Sequence, residues 1–275
     1  MPDIKIGSNY FRYETVGKGE PLLFISGMGG DNDAWKAQLR SHSRRFACIT
    51  FDNRGIGGSA AAAAGLGPEG YTLSLLAEDA IRLLDALGID RAHVVGASMG
   101  GAIAQRLALD HPGRILSLSL HSTLARMSAR SRLRFETQLQ LLEKVDVVDV
   151  LMSLAPMIWS ERTLTERFHV IEAFRAARKE GGAPVSKAVY RLQLQALLDL
   201  DLLPRLGEIK APVLVTAGAD DGLIPAAESR LISKAIPGSA FHVFGGCGHA
   251  SSMENSRGFN AVSLGFLKKH EGGAT

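Results

Sequence analysis

The stretch HVVGASMGGA, residues 93–102, contains a serine between glycines at the point where a strand pattern gives way to a helical one. A short β-branched run stops at Gly96, and a helical pattern follows Ser98 until Pro112 ends it. A strand, a sharp turn and a helix therefore meet at Ser98, in the G-x-S-x-G arrangement that exposes a serine hydroxyl. Glycine suits positions 96 and 100 because larger side chains would collide where the helix and the strand approach. We therefore interpret Ser98 as a candidate nucleophile beside the N–H groups of a helix N-terminus.

Apolar runs that alternate with amphipathic segments indicate the fold around this serine. Continuous apolar runs such as residues 21–26 and 46–51 are typical of strands that are buried on both faces. The predicted strands lie at residues 4–6, 9–16, 21–26, 46–51, 94–96, 115–120, 211–216 and 240–244. This order predicts an α/β fold with a mostly parallel eight-stranded sheet and helices on both faces. The functional loops are then expected at the carboxyl ends of the strands.

The pattern changes between residues 123 and 207, where helices are predicted without strands. Residues 181–184 interrupt this helical region. The helical patterns cover residues 126–144, 147–154, 163–180 and 186–198. We interpret residues 123–207 as a helical cap subdomain inserted into a core domain of residues 1–122 and 208–275. Its apolar side chains should form its own core and line part of a substrate pocket, where Trp159 is our candidate.

The composition restricts the class of protein. The 275 residues are 46% hydrophobic and 21% charged with a net charge of +3, which gives no support for nucleic-acid binding. No segment has the pattern of a signal peptide or of a membrane span, so we expect a cytoplasmic protein that binds neither nucleic acid nor a membrane. The 2 cysteines, Cys48 and Cys247, are expected to be free thiols. The alanine-rich residues 60–67 predict a mobile loop.

A serine hydroxyl becomes a strong nucleophile when a base takes its proton, and that base needs a carboxylate partner. Among the 8 histidines, His249 alone lies in a glycine-rich loop after a terminal strand, so we take it as the base. Asp220 and Asp221 both follow the strand that ends near residue 216, and the pattern alone does not choose between them. His121 ends a strand on the same edge, which makes it a candidate for the substrate pocket.

Four blocks of the sequence resemble the α/β-hydrolase superfamily, in the same order along the chain. They are SGMGG at residues 26–30, DNRGIGGS at residues 52–59, GASMGG at residues 96–101 and GH at residues 248–249. The resemblance covers nearly the whole chain and implies a catalytic triad of serine, histidine and aspartate. The acid block of this family is a glycine, two residues, the aspartate, three residues and a proline. Gly218 and Pro225 fit that frame with Asp221, so the resemblance favours Asp221 over Asp220.

The resemblance also implies a reaction. The backbone N–H groups of Met28 and Met99 would form an oxyanion hole for an acyl-enzyme on Ser98. Most members of the superfamily have histidine where this chain has Ser26. In this respect the chain resembles aminoacrylate hydrolases and, more loosely, 3-oxoadipate enol-lactonases and carboxylesterases. This resemblance therefore implies a cofactor-free serine hydrolase that cleaves a small ester, lactone or related carbonyl substrate. Relatives with an aspartate nucleophile are excluded because the residue at the turn is serine.

Alternatives with the same three residues stay open. A C–C bond hydrolase, a cofactor-free perhydrolase and a ligand-binding, receptor-like protein would each carry the same triad. We interpret the arginines at 126, 130, 132 and 134 as a solvated helix face, with a rim that attracts carboxylate substrates as the alternative. No metal-ligand spacing, phosphate loop or dinucleotide motif is present in the sequence. The expected partner is a small-molecule substrate, and the oligomeric state stays open, with a homodimer among the alternatives.

Overall fold

The computed structural model describes residues 1–181 and 184–272, and its strands form one eight-stranded sheet. The strands are β1 (Asp3–Ile6), β2 (Asn9–Val16), β3 (Pro21–Ile25), β4 (Ala47–Phe51), β5 (Ala92–Ala97), β6 (Ile115–His121), β7 (Val213–Gly218) and β8 (Ala240–Phe244). Their order across the sheet is β1-β2-β4-β3-β5-β6-β7-β8. The β1–β2 and β2–β4 pairs are antiparallel, and the other five pairs are parallel. The predicted α/β fold with a mostly parallel eight-stranded sheet is confirmed.

Helices connect these strands and cover the sheet. The α-helices of the described residues are α1 (Lys36–His42), α2 (Leu73–Ala86), α3 (Met99–Asp110), α4 (Ala129–Leu141), α5 (Val147–Ser153), α6 (Ala155–Ile158), α7 (Glu161–Glu166), α8 (Phe168–Gly181), α9 (Lys187–Leu198), α10 (Ala226–Ala235), α11 (Ser251–Glu254) and α12 (Ser256–Lys268). Short 3₁₀ turns precede α1 and follow α3. The alternation of strand and helix explains why the central pairs of the sheet are parallel.

Strand β3 separates two apolar layers, because successive side chains of a strand point to opposite faces of the sheet. Leu22 and Phe24 pack in a cluster with Phe259 of α12. Leu23 and Ile25 belong to a second cluster that includes apolar residues of α2 and α3. All four β3 side chains are fully buried. A strand covered on both faces explains the continuous apolar run that predicts it.

The segment between β6 and β7, residues 123–207, carries α4 to α9, and we refer to it as the helical insertion. Ser128, Asp146, Ser160 and Ser186 each accept a backbone hydrogen bond at a helix N-terminus, which fixes where those helices begin. The helix predicted over residues 163–180 is divided in two at Arg167, whose backbone leaves the helical region (φ −130°, ψ 25°). The predicted interruption at residues 181–184 includes residues 182 and 183, which lie outside the described residues.

The alanine-rich stretch after β4 contains short helical turns. Residues Gly57–Ala63 form 3₁₀ turns, and Ala62 and Ala63 are buried. The Arg54 guanidinium donates to the Ala62 carbonyl and forms a buried ion pair with Asp79 of α2. The first part of the predicted loop therefore forms 3₁₀ turns, and its mobility stays a prediction. Small side chains allow the turn to pack closely, and composition alone does not distinguish that from flexibility.

Candidate active site

Ser98 lies in the sharp turn between β5 and α3, with φ 55° and ψ −123°. A positive φ is unfavourable for a residue with a side chain, so the surrounding contacts must hold this conformation. The Ser98 N–H donates to the His121 carbonyl at 2.9 Å, and the Thr123 hydroxyl donates to the Ser98 carbonyl at 2.6 Å. The Ser98 hydroxyl does not cap α3, and the residue is partly exposed. The turn therefore presents this hydroxyl at the carboxyl edge of the sheet.

The two glycines of the motif are required by the close approach of α3 to the sheet. A Cβ atom on Gly96 would lie 2.3 Å from the Gly100 carbonyl oxygen. A Cβ atom on Gly100 would lie 2.1 Å from the Ile25 carbonyl oxygen. Both contacts are with backbone, which cannot rotate away. The G-x-S-x-G pattern thus has a steric cause on each side of Ser98.

The structure brings Asp221 and His249 together at the same edge of the sheet. His249 Nδ1 donates to Asp221 Oδ2 at 2.9 Å. The other oxygen, Oδ1, accepts the N–H groups of Leu223 at 2.9 Å and Ile224 at 2.7 Å. Asp221 is 5% exposed, whereas its neighbour Asp220 is exposed and its N–H bonds to the next loop. Of the two aspartates that the pattern offers, Asp221 is the one in contact with His249.

Close packing of the loops after β7 and β8 sets this contact. The Asp220 N–H donates to the Cys247 carbonyl at 2.9 Å. A Cβ atom on Gly218 would lie 2.0 Å from the Gly248 carbonyl oxygen, so glycine alone fits there. Strands β5 to β8 are parallel neighbours. Ser98, Asp221 and His249 therefore follow strands that end at one edge.

The loop after β3 lies against the serine turn. A Cβ atom on Gly27 would lie 3.0 Å from Ser98 Cβ and 3.6 Å from Ser98 Oγ. Within the described residues, the N–H groups of Met28 and Met99 donate to no acceptor, whereas the Gly29 N–H donates to Gln193 Oε1 at 3.0 Å. These two backbone donors are therefore uncommitted within the described residues, and their role in an oxyanion hole stays a prediction.

Side chains of the block at residues 52–59 hold this loop. Asn53 Nδ2 donates to the Ser26 carbonyl at 3.1 Å. The Asp52 carboxylate accepts the N–H groups of Asn32 and Gly58, each at 2.9 Å. Burial raises the pKa of Asp52 above its ordinary value, and these two N–H groups act in the opposite direction. The contacts of this block are structural.

His121 does not line a pocket, which corrects the prediction from the sequence. Its side chain is buried, with Nδ1 2.6 Å from Thr216 Oγ1 and the ring 4.4 Å from the Phe259 ring of α12. Burial lowers the pKa of His121 to about 3, so the ring is neutral at neutral pH. The His121 side chain points to the face of the sheet covered by α12. Only its carbonyl reaches the site, where it accepts the Ser98 N–H.

The helical insertion contacts the loops after β3, β7 and β8. Gln193 of α9 accepts from Gly29, as described above. The Gly222 N–H donates to the Met157 carbonyl at 3.0 Å, and the Gly222 carbonyl accepts from Arg134 Nη1 at 3.1 Å. The Ala250 N–H donates to the Ile158 carbonyl at 3.3 Å. Apart from the serine turn, these three are the loops that hold candidate site residues. The insertion therefore forms hydrogen bonds with all three.

Trp159 lies in this contact region. It is partly exposed, and its backbone runs against the histidine loop: a Cβ atom on Gly248 would lie 2.9 Å from the Trp159 carbonyl carbon. That places Trp159 beside the residue that precedes His249. Its role in binding a substrate stays a prediction.

The sequence does not indicate the contacts of Gln193 and Glu254 with the loops of the candidate site, and it places Arg134 on a solvated face or a carboxylate-attracting rim rather than at the loop after β7. Glu254 accepts the Gly248 N–H at 2.7 Å. Each of the three lies on a helix. Gln193 and Arg134 bond to backbone groups of loops that are distant in the chain, and Glu254 bonds to the backbone of Gly248. The short distance in sequence between His249 and Glu254 is the one feature that could have indicated Glu254.

The four arginines do not form one rim. Arg126 and Arg130 are exposed, and Arg132 donates to the Leu198 carbonyl. Arg134 alone turns inward, and burial lowers the pKa of its guanidinium, while the nearby Asp221 carboxylate acts in the opposite direction. The arginines are therefore largely exposed to solvent, and of the four only Arg134 contacts the loop after β7 that holds Asp221.

Neither a metal site nor a membrane-spanning helix is found within residues 1–181 and 184–272. No group of three or more His, Cys, Asp and Glu side chains there has the geometry to hold a metal ion. No helix among them has both the length and the apolar character needed to cross a membrane.

Comparison with known proteins places this geometry in a family. The model of the alpha/beta hydrolase fold matches residues 20–256. A relative from Caulobacter sp. (strain K31), named "Putative carbamate hydrolase RutD", is 31% identical over 256 residues, which are 90% of each chain. A hydrolase from Pseudomonas aeruginosa PA01 superimposes with a TM-score of 0.84 at 29% identity, over 97% of each chain. The enol-lactonase from Burkholderia xenovorans LB400 gives a TM-score of 0.81 at 25% identity, over 97% of this chain and 100% of that one. The chain belongs to the α/β hydrolase fold family.

Proposed function

We propose that this hydrolase is a serine hydrolase that cleaves a small ester, lactone or related carbonyl substrate through an acyl-enzyme on Ser98. The observation that carries the proposal is the 2.9 Å contact between His249 Nδ1 and Asp221 Oδ2, at the edge of the sheet where Ser98 occupies its strained turn. A histidine bonded to a buried carboxylate through Nδ1 keeps Nε2 available to accept a proton.

The mechanism follows from these groups. His249 Nε2 takes the proton of the Ser98 hydroxyl while Ser98 Oγ attacks the substrate carbonyl carbon. The resulting imidazolium is stabilised by the Asp221 carboxylate and then gives its proton to the leaving oxygen. Water, activated by the same histidine, attacks the acyl-enzyme and releases the acid. No cofactor takes part in these steps.

The developing oxyanion would be bound by the N–H groups of Met28 and Met99, which have no acceptor within the described residues. Donors fixed in this way need no reorganisation during the reaction, and loss of one typically costs about 3 kcal/mol of transition-state stabilisation. The Met28 and Met99 side chains have no part in this step.

The relatives support an acyl transfer to water. One is named a carbamate hydrolase and another an enol-lactonase, and both names describe cleavage at a carbonyl carbon. We propose that the helical insertion covers the site as a cap and that Trp159 contacts the substrate. The hydrogen bonds from the insertion to the loops after β3, β7 and β8 support this placement.

The test is hydrolysis of p-nitrophenyl esters from acetate to octanoate by the wild type and Ser98→Ala. We expect turnover in the wild type, a fall of about 10⁴-fold or more in the variant, and an optimum chain length that measures the pocket. Equal, slow rates in both proteins would overturn acyl transfer through Ser98 and favour a ligand-binding protein.

Two adjacent aspartates provide a matched pair for the same assay. Asp221→Asn removes the charge that contacts His249 and should lower kcat by about 10⁴-fold. Asp220→Asn changes an exposed neighbour and should leave kcat within about twofold. The opposite ranking would contradict the proposed triad.

A further inference from the structure

Glu254 is a buried carboxylate that joins the histidine loop to the helical insertion. It ends α11 and is 7% exposed. Its Oε1 accepts the Gly248 N–H at 2.7 Å. Its Oε2 accepts the Ser160 N–H at 3.1 Å and the hydroxyl groups of Ser160 and Thr163. One side chain therefore bonds to both segments at once.

The chemistry of these contacts suits a carboxylate. Each of the four partners is a donor, and an ionised carboxylate has only acceptor sites. An amide in the same place would turn one NH₂ group toward donors. Hydrogen bonds to a charged acceptor are stronger than those to a neutral one, and burial protects them from water. The contact is therefore strong and specific to an acidic side chain.

Backbone packing on both sides of His249 makes this contact relevant to the site. A Cβ atom on Gly248 would lie 2.4 Å from the Ile158 carbonyl oxygen and 2.9 Å from the Ser160 nitrogen. On the other side of His249, the Ala250 N–H donates to the Ile158 carbonyl at 3.3 Å. The residues before and after His249 thus both rest on residues 158–160, and Glu254 fastens the two segments together.

We propose that Glu254 is a positioning residue: it fixes the helical insertion against the histidine loop and so holds His249 in line with Asp221 and Ser98. Glu254 touches no reacting atom in this proposal and acts through His249. The inference rests on the proposed function, because it assigns His249 the role of base. It also assigns the insertion a part in catalysis besides covering the substrate.

The first experiment compares Glu254→Gln with Glu161→Gln by kcat and KM for p-nitrophenyl acetate. Glu161 is a matched control because it is exposed and begins α7 beside Ser160. A misplaced base slows the chemical step more than binding, so we expect kcat to fall about 10- to 100-fold in E254Q with KM within threefold. E161Q should stay within about twofold in both values.

A spectroscopic measurement separates positioning from general stability. The proton between His249 Nδ1 and Asp221 Oδ2 should give a low-field ¹H NMR signal in the wild type, assigned by its loss in His249→Gln. We expect this signal to shift or broaden in E254Q at a temperature where the variant is fully folded. An unchanged signal together with unchanged kcat would overturn the proposal.

A second pair keeps the proposal testable if E254Q does not fold. Ser160→Ala removes a helix cap and a donor to Glu254, whereas Ser186→Ala removes an equivalent cap from α9 without touching the histidine loop. S160A should lose more stability than S186A, because Ser160 is buried and also donates to Glu254, so kcat is compared at a temperature where both variants are fully folded. Only S160A should lower kcat, by about fivefold. Equal kcat in the two variants would overturn the proposal.

Labelling with a fluorophosphonate distinguishes failure of this inference from failure of the proposed function. The reagent reacts with an activated serine, so the wild type should be labelled at Ser98 and E254Q more slowly. A wild type that is not labelled contradicts the serine hydrolase itself. A labelled wild type with an equal labelling rate in E254Q contradicts the role of Glu254 alone.

Discussion

The sheet and the helical insertion act on the candidate site through different kinds of contact. The sheet combines a backbone hydrogen-bond ladder with two buried apolar clusters, and side chains added at Gly96 or Gly100 would collide with backbone. The insertion shares one of these clusters, through residues such as Tyr190 and Leu194, but its contacts with the loops after β3, β7 and β8 include hydrogen bonds of Gln193, Arg134 and the partners of Glu254. The sheet thus imposes the strained turn at Ser98, whereas the insertion adjusts the loops around it. Changes to the sheet should therefore cost stability, and changes to the insertion should cost activity.

The largest effect is expected at the packing of α3 on β3. Gly100→Ala places a Cβ atom 2.1 Å from the Ile25 carbonyl oxygen, so we expect a loss of about 5 kcal/mol or more in the free energy of unfolding. Urea denaturation, or recovery of soluble protein, would measure it. Gly113→Ala is the control, because no atom lies within 4 Å of its added Cβ. A stable Gly100→Ala variant would contradict the conclusion that close packing fixes the turn at Ser98.

A smaller loss is expected from the buried ion pair. Arg54 and Asp79 pair with side-chain exposures of 8% and 2%. Asp79→Asn leaves the Arg54 charge buried without its partner and should destabilise the protein by about 3 kcal/mol. Glu78→Gln, at the neighbouring and more exposed carboxylate, should change stability by less than about 1 kcal/mol. Urea denaturation of both variants checks the ranking, and equal losses would contradict it.

Acid should weaken the packing of α1 on the sheet, where His42 is buried against Phe24. Burial lowers the pKa of His42 from 6.5 to about 4, so the unfolded chain takes up its proton first as the pH falls. The contribution of His42 to stability is present above pH 6.5 and is lost as the pH falls towards 4. At pH 5 this loss is about 2 kcal/mol.

Variants at two histidines test that assignment. His42→Gln should reduce the fall in the free energy of unfolding between pH 7 and pH 5 by about 2 kcal/mol, because His42 is gone while the buried His121, whose pKa is also lowered, remains. His169→Gln, which changes an exposed histidine of the insertion, should leave the fall unchanged. Urea titrations at the two pH values give the comparison. An equal fall in His42→Gln and the wild type would assign the acid sensitivity to other groups, such as the buried His121.

The smallest effect on stability is expected in the insertion. Arg134→Met removes the bond to the Gly222 carbonyl and a positive charge near Asp221. We expect kcat/KM to fall about tenfold, with stability within about 1 kcal/mol of the wild type. Arg130→Met, at an exposed arginine of the same helix, should change neither. A stability loss larger than the activity loss would contradict the division between sheet and insertion.

The same division explains what could be predicted from the sequence. Continuous apolar runs such as residues 21–26 predict buried parallel strands because burial on both faces is encoded locally. The contact between Gly96 and Gly100 is also local, so the G-x-S-x-G pattern indicates the turn at Ser98, although Gly100 itself packs against Ile25 of β3. The pattern offered both Asp220 and Asp221, and the resemblance to the family favoured the aspartate that contacts His249 in the structure.

The remaining features depend on contacts between distant parts of the chain. His121 was expected in the pocket because it ends a strand at the correct edge, but its face of the sheet depends on strand parity. The break between α7 and α8 at Arg167 has no glycine or proline to announce it. Gln193, Arg134 and Glu254 bond to loops or backbone groups that helical periodicity does not reveal. Polar contacts of this kind require the tertiary structure.

The order of the strands has a consequence for how the protein is made. Strand β5, which leads to Ser98, is flanked by β3 and β6, both of which are complete by residue 121. Asp221 and His249 follow β7 and β8, which extend the sheet outward one after the other. During synthesis, strand β5 thus has both neighbours before the ribosome has translated Asp221 or His249. On the proposed function, a nascent chain that ends before β7 should therefore hold an unreactive Ser98 in an assembled central sheet, and reactivity should begin only after β8 and His249 have joined the edge.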